Sequence, residues 1–133
     1  MDITFTTVRL FVHVLAATVW VGGQLTLAGL VPVLRGLGPD APRIAARRFN
    51  LVAWPAFAVV TFTGIWNALS IDFAAEPNSY KAKFGLKMAC YLVTGFGAAL
   101  HVLVRKRWAR AIGGAMSGLG AVGALFFAIA LRY

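Results

Sequence analysis

Only a handful of side chains inside the apolar stretches of this chain can do chemistry: His13, Gln24, Asn67, Lys87, Cys90 and His101. A neutral imidazole can ligate a metal or accept a proton, an ammonium can meet a carboxylate, and an amide can both give and accept hydrogen bonds. In hydrocarbon each such group is costly unless it has a partner, a cavity or a role, so their positions carry the functional information. The single cysteine, Cys90, excludes an internal disulfide, and no CxxC or Cys/His cluster with metal-ligand spacing is present. Met88 and Met116 are too few to resemble the thioether clusters that select Cu(I).

The elements that must position these groups are long apolar segments. Four of them, about 6–33, 50–69, 80–104 and 110–131, hold few charges, and roughly 20 helical residues suffice to cross the hydrocarbon core of a bilayer. Because backbone amides in lipid must be paired within a helix or a closed barrel, these segments are expected to be transmembrane helices. The expected fold class is all-α, an integral membrane four-helix up-down-up-down bundle formed by residues 1–133 as a single domain. A composition that is 60% hydrophobic, with mean hydropathy +0.79, leaves no room for a separate soluble domain. Pro32 and the stretch from Gly36 to Pro42 are expected to close the first helix with a breaker-rich loop, and Pro55 to kink the second. The first segment lacks the basic start and small-residue cleavage site of a signal peptide, so it is expected to remain in the mature protein.

The net charge of +9 would suggest nucleic acid in a soluble chain, but here the basic residues flank membrane spans and no nucleic-acid partner is expected. The partner they imply is the lipid bilayer. Arg35, Arg43, Arg47, Arg48, Arg105, Lys106, Arg107 and Arg110 fall on one side against a single acid, Asp40. That side is expected to be cytoplasmic, with both termini outside. The other side holds Arg9, Lys81, Lys83 and Arg132, diluted by Asp2, Asp72 and Glu76. Trp54, Trp66 and Trp108 read as headgroup-level anchors of helix ends.

Depth sorts the polar residues. At about 1.5 Å per residue, His13 and Lys87 each lie about two turns below the outer ends of their helices, and Thr63 and Asn67 fall in the same layer. These four residues are expected to converge on one site. His101 lies near the cytoplasmic end, on the order of 20 Å away along the membrane normal, so one metal ligated by both histidines is not expected. Ala16, Ala17 and Trp20 follow His13 on its own face, leaving a groove beside an aromatic plane where a flat ligand such as haem would fit, with His13 as axial ligand. A histidine bonded to a neighbouring helix is the structural alternative.

Two further patterns bear on packing. Lys87, Thr94 and His101 recur every seven residues in the third helix, which reads either as a polar wall facing the interior or as interhelical hydrogen bonding. In the fourth helix Gly114 and Gly118 have small-xxx-small spacing. That spacing suggests close approach to a neighbouring helix, or to a second copy or membrane partner, and would also make room for a prosthetic group.

The string VHVLAATVWVGGQLTLAGLVP, with TGIWNAL and with Tyr80 followed by FGLK, resembles the CopD-type copper-resistance membrane domain over roughly the first 100 residues. The resemblance implies a bacterial inner-membrane helical protein concerned with copper transport or resistance, or with a metal cofactor held in the bundle, and with no reaction of its own. It marks His13, Trp20, Gly23, Asn67 and Lys87 as cofactor-binding residues, with His13 the metal ligand. More distantly the chain resembles the four-helix haem-associated protoporphyrinogen oxidases, which pair a first-helix histidine with a third-helix lysine. That likeness implies haem b on His13, with Lys87 meeting a propionate or substrate carboxylate. At Gly29, nine residues after Trp20, those enzymes carry an arginine that this chain lacks. An accessory membrane subunit packing through its glycine-rich last helix is a third reading.

Overall fold

A computed structural model describes residues 4–133 of the protein; Asp2, counted above among the outer charges, lies outside the described residues. The described chain is all-α: α1 (Phe5–Leu37), α2 (Ala41–Leu69), α3 (Asn78–Leu103) and α4 (Arg107–Ala130). All four helices are long and apolar enough to cross a membrane. Chain contacts divide them into two compact units, one ending at Ile71 and the other running Asp72–Tyr133.

Each unit is an antiparallel hairpin. In the first, α1 starts at an N-cap Thr4, whose hydroxyl accepts from the Thr7 amide at 3.2 Å. It then continues through Pro32 to Leu37, past the expected stop near Val33. The turn is only Gly38–Asp40, and Gly38 provides it with a φ of 156°, a region L side chains rarely enter. Pro42, expected to lie in the loop, instead sits in the first turn of α2, where its missing N–H would have no helical partner anyway. So α2 begins at Ala41, nine residues before the expected Asn50, and Arg43, Arg47 and Arg48 are helical rather than loop residues. At about 1.5 Å per residue α1 and α2 reach lengths of roughly 50 and 44 Å, well beyond a hydrocarbon core of about 30 Å, so their arginine-bearing ends extend to headgroup level or past it.

The packing is inside-out by the standard of a soluble protein. Buried positions are mostly small (Ala16, Ala53, Ala98, Ala109, Ala121), whereas Phe11, Leu51, Phe62, Leu92, Phe96 and Leu119 are all more than 60% exposed. Hydrocarbon removes any driving force to hide large apolar side chains, and small ones let backbones approach closely. The chain is a multi-pass membrane protein in contact with the lipid bilayer.

In the second hairpin that approach is explicit. A Cβ on Gly97 would stand 2.7 Å from the Gly113 carbonyl oxygen, and one on Gly120 would stand 2.7 Å from the Thr94 amide nitrogen. The α4 residues facing α3 are therefore Ala109, Gly113, Ser117 and Gly120, one position removed from the expected Gly114 and Gly118. Gly114 receives the His101 imidazole instead, and Gly118 has no neighbour within 4 Å of where its Cβ would stand.

Candidate functional site

His13 belongs to the first hairpin, and its ring is held by two features of α2. Nδ1 lies 2.8 Å from Thr63 Oγ1, and the Thr63 hydroxyl lies 2.6 Å from the Val59 carbonyl oxygen one turn back. A hydroxyl has one proton, and the carbonyl can only accept, so Thr63 donates to Val59 and accepts from His13. The network therefore assigns the proton of the neutral ring to Nδ1 and the lone pair to Nε2. Beneath the ring is Gly64, where an added Cβ would stand 3.2 Å from Cε1. The glycine makes the seat in which the imidazole lies.

Around this rung the other first-hairpin residues sort by helical turn. Asn67 is one turn beyond Thr63 on α2, with its Oδ1 buried and without a hydrogen-bond partner among the described residues. Trp20 is 5% exposed, and its ring packs on Phe57 at 4.5 Å and edge-on to Trp54 at 5.9 Å between centroids. The aromatic plane expected to border an open groove is thus occupied by α2 side chains. Trp54, in turn, belongs to this cluster within the hairpin rather than standing as a helix-end anchor. Gly23 faces the Phe49 ring, which fills the space a Cβ would need. Its role in the described structure is close packing of α1 on α2.

Lys87 is half-buried in α3 and belongs to the second unit. The heptad partners it was grouped with are tied to α4. Thr94, 1% exposed, donates to the Ser117 carbonyl at 2.7 Å, and His101 Nδ1 donates to the Arg110 carbonyl at 2.7 Å. A step of seven residues forward on α3 matches seven back on α4, the register of an antiparallel pair. Of the two readings of this stripe, the interhelical one accounts for Thr94 and His101. Cys90 packs against Gly123 in the same seam.

Arg9 went unrecognised in the sequence, where it counted only as a terminal charge. It stands one turn before His13, donates from Nη1 to Ser70 Oγ at 3.1 Å, and holds its guanidinium 5.8 Å from the Trp66 ring centroid. The i, i+4 spacing to His13 was the signal that could have found it.

The donor set can be tested against the two metal groups the sequence raised. Among the described residues no three His, Cys, Asp or Glu side chains come together, and the first hairpin contains no cysteine and no described methionine beside His13. A bare copper ion takes most of its ligands from soft or imidazole side chains, and the described residues of this hairpin supply one. Haem iron brings four ring nitrogens of its own and asks the protein for one or two axial ligands. The single oriented imidazole fits the second demand and not the first. Comparison with family models, curated proteins and solved structures finds no match.

Proposed function

We propose that this is a bacterial inner-membrane protein, with both termini outside, in which the His13 imidazole would hold a haem-type cofactor. The observation that carries the reading is the chain from His13 Nδ1 through the Thr63 hydroxyl to the Val59 carbonyl, which orients the ring and leaves the lone pair on Nε2. A hydrogen bond from the nitrogen that faces away from the metal fixes the tautomer and raises the basicity of a ligating histidine. Bound haem would supply one-electron chemistry or small-ligand binding at iron. The chain's part is to seat the imidazole on Gly64 and restrain its rotation through Thr63. Copper handling of the CopD type ranks below this reading, because the donors gathered around His13 are too few.

The absorption spectrum of protein purified from haem-replete cells tests the proposal. Wild-type protein and His101→Ala are expected to carry a Soret band, and His13→Ala to lose it. Retention of the band in both variants, or its selective loss in His101→Ala, would put the site elsewhere. Stoichiometric copper with no porphyrin band would return the assignment to copper handling.

A further inference from the structure

At the end of the first hairpin where α1 starts and α2 finishes, a cation, two orphaned polar atoms and an apolar groove lie together. Among the described residues Arg9 has no carboxylate partner, and the only ion pair is Arg43 with Asp40, at the opposite end of the hairpin. Its Nη1 is held by Ser70, whose own proton goes to the Trp66 carbonyl at 3.0 Å. Its Nε is buried and bonded to nothing among the described residues, as is Asn67 Oδ1. Asn67 falls on α2 between Thr63 and Ser70, the two residues that bond His13 and Arg9, so it lies between the two rungs. Beside them Phe62, Ile65, Trp66 and Leu69 line an open apolar groove, and Trp66 is the residue shared by groove and guanidinium.

We propose that this end of the hairpin binds one phospholipid with an anionic, hydroxyl-bearing headgroup. The phosphodiester accepts from Arg9, a headgroup hydroxyl donates to Asn67 Oδ1, and an acyl chain lies along Phe62, Ile65, Trp66 and Leu69. Each component has a reason. A guanidinium with a buried N–H still to satisfy calls for an oxyanion, for which its planar fork is suited. An amide oxygen beside it calls for a donor, which a phosphodiester alone lacks. Arg9 is also about one turn inside α1, some 6 Å from its start, and stands beside Trp66, a residue type enriched at headgroup level. A free soluble anion would satisfy the cation but leave the groove uncovered. The inference does not rest on the haem reading, since none of these residues is the axial ligand.

Native mass spectrometry of the full chain, exchanged from detergent into mixtures of phosphatidylglycerol and phosphatidylcholine, reads the result directly. Wild-type protein is expected to retain one phosphatidylglycerol with a preference of roughly fivefold, the factor equivalent to about 1 kcal/mol for one basic residue at an anionic surface. Arg9→Gln is expected to abolish the preference. Arg9→Lys keeps the charge but removes the Nε donor and should retain only part of it. Asn67→Leu should lower discrimination between phosphatidylglycerol and phosphatidylmethanol, an anionic phosphodiester whose headgroup has no hydroxyl, while leaving the preference over phosphatidylcholine. Helical circular dichroism of each variant shows that it is folded. Equal retention of both lipids by wild-type protein overturns the proposal, as does an unchanged preference in folded Arg9→Gln. So does competition by inorganic phosphate that displaces the lipid fully, since the groove would then contribute nothing.

Discussion

His13 shows how little a residue type says until its hydrogen bonds are known. In sequence it is one of two histidines in apolar surroundings, and both form a bond from Nδ1, one to a hydroxyl and one to a main-chain carbonyl. The difference lies in the setting: His13 is half-buried on Gly64 inside a hairpin, whereas His101 is exposed and clasps the first turn of α4. The rung between His13 and Thr63 should have a measurable coupling energy. A double-mutant cycle of His13→Ala and Thr63→Val, read by reversible unfolding in detergent, is expected to give about 0.6 kcal/mol, and not above roughly 1.7, as for other interhelical hydrogen bonds in membranes. Strict additivity of the two substitutions would mean that the contact contributes nothing. Gly64→Val should be worse than either single change, by about 1–3 kcal/mol, because the added carbons must displace the imidazole.

At the scale of the element, α4 illustrates why a small-residue motif needs a partner before it can be placed. Its sequence offers Gly113, Gly114, Gly118, Gly120 and Gly123, and any of several pairs satisfies small-xxx-small spacing. The face in contact with α3 is set by the two carbonyl acceptors, Arg110 and Ser117, together with the glycines between and beyond them. Gly97→Val and Gly113→Val are therefore expected to destabilise the second hairpin by about 1–3 kcal/mol through backbone collision. Gly118→Val should change stability by no more than about 0.5 kcal/mol, as surface substitutions usually do. Thermal melts of the three variants decide this, and a larger loss in Gly118→Val than in Gly97→Val would show that α4 turns another face to α3. A glycine that tolerates valine in isolation yet disrupts a native oligomer would mark the face used by a second copy or a partner subunit.

Across the whole molecule the charge follows the turns. Each hairpin carries its basic cluster at its own short connection: Arg35, Arg43, Arg47 and Arg48 around Gly38–Asp40, and Arg105 to Arg107 with Arg110 around the break between α3 and α4. Basic residues in short connections are retained in the cytoplasm, so both turns are expected on that side. Introducing Ala45→Cys into a Cys90→Ala background and labelling intact cells with an impermeant thiol reagent checks it. Residue 45 should react only after the membrane is opened, and reaction from outside would invert the topology. Asp40 does not offset this bias, since it is paired with Arg43 at 3.3 Å and leaves the remaining arginines in excess.

The sequence by itself determined the number of helices, their membrane character and the concentration of positive charge at two turns. Those features follow from hydropathy and length, which act locally and need no knowledge of neighbours. It also picked out His13 and Thr63 as residues of one layer, because depth along a helix is simple arithmetic. Boundaries were less legible: Pro42 signals a loop as readily as a helix start, and only the chain's path showed that it opens α2. Which residues meet was decided by tertiary structure alone. Thr63 fixes the tautomer of His13, Phe57 and Trp54 cover Trp20, Phe49 fills the space at Gly23, and Arg9 reaches Ser70 across the hairpin. The physical reason is that in lipid almost every face of a helix is apolar, so periodicity does not reveal which face turns inward; that choice falls to the fit of small residues and to a few interhelical hydrogen bonds.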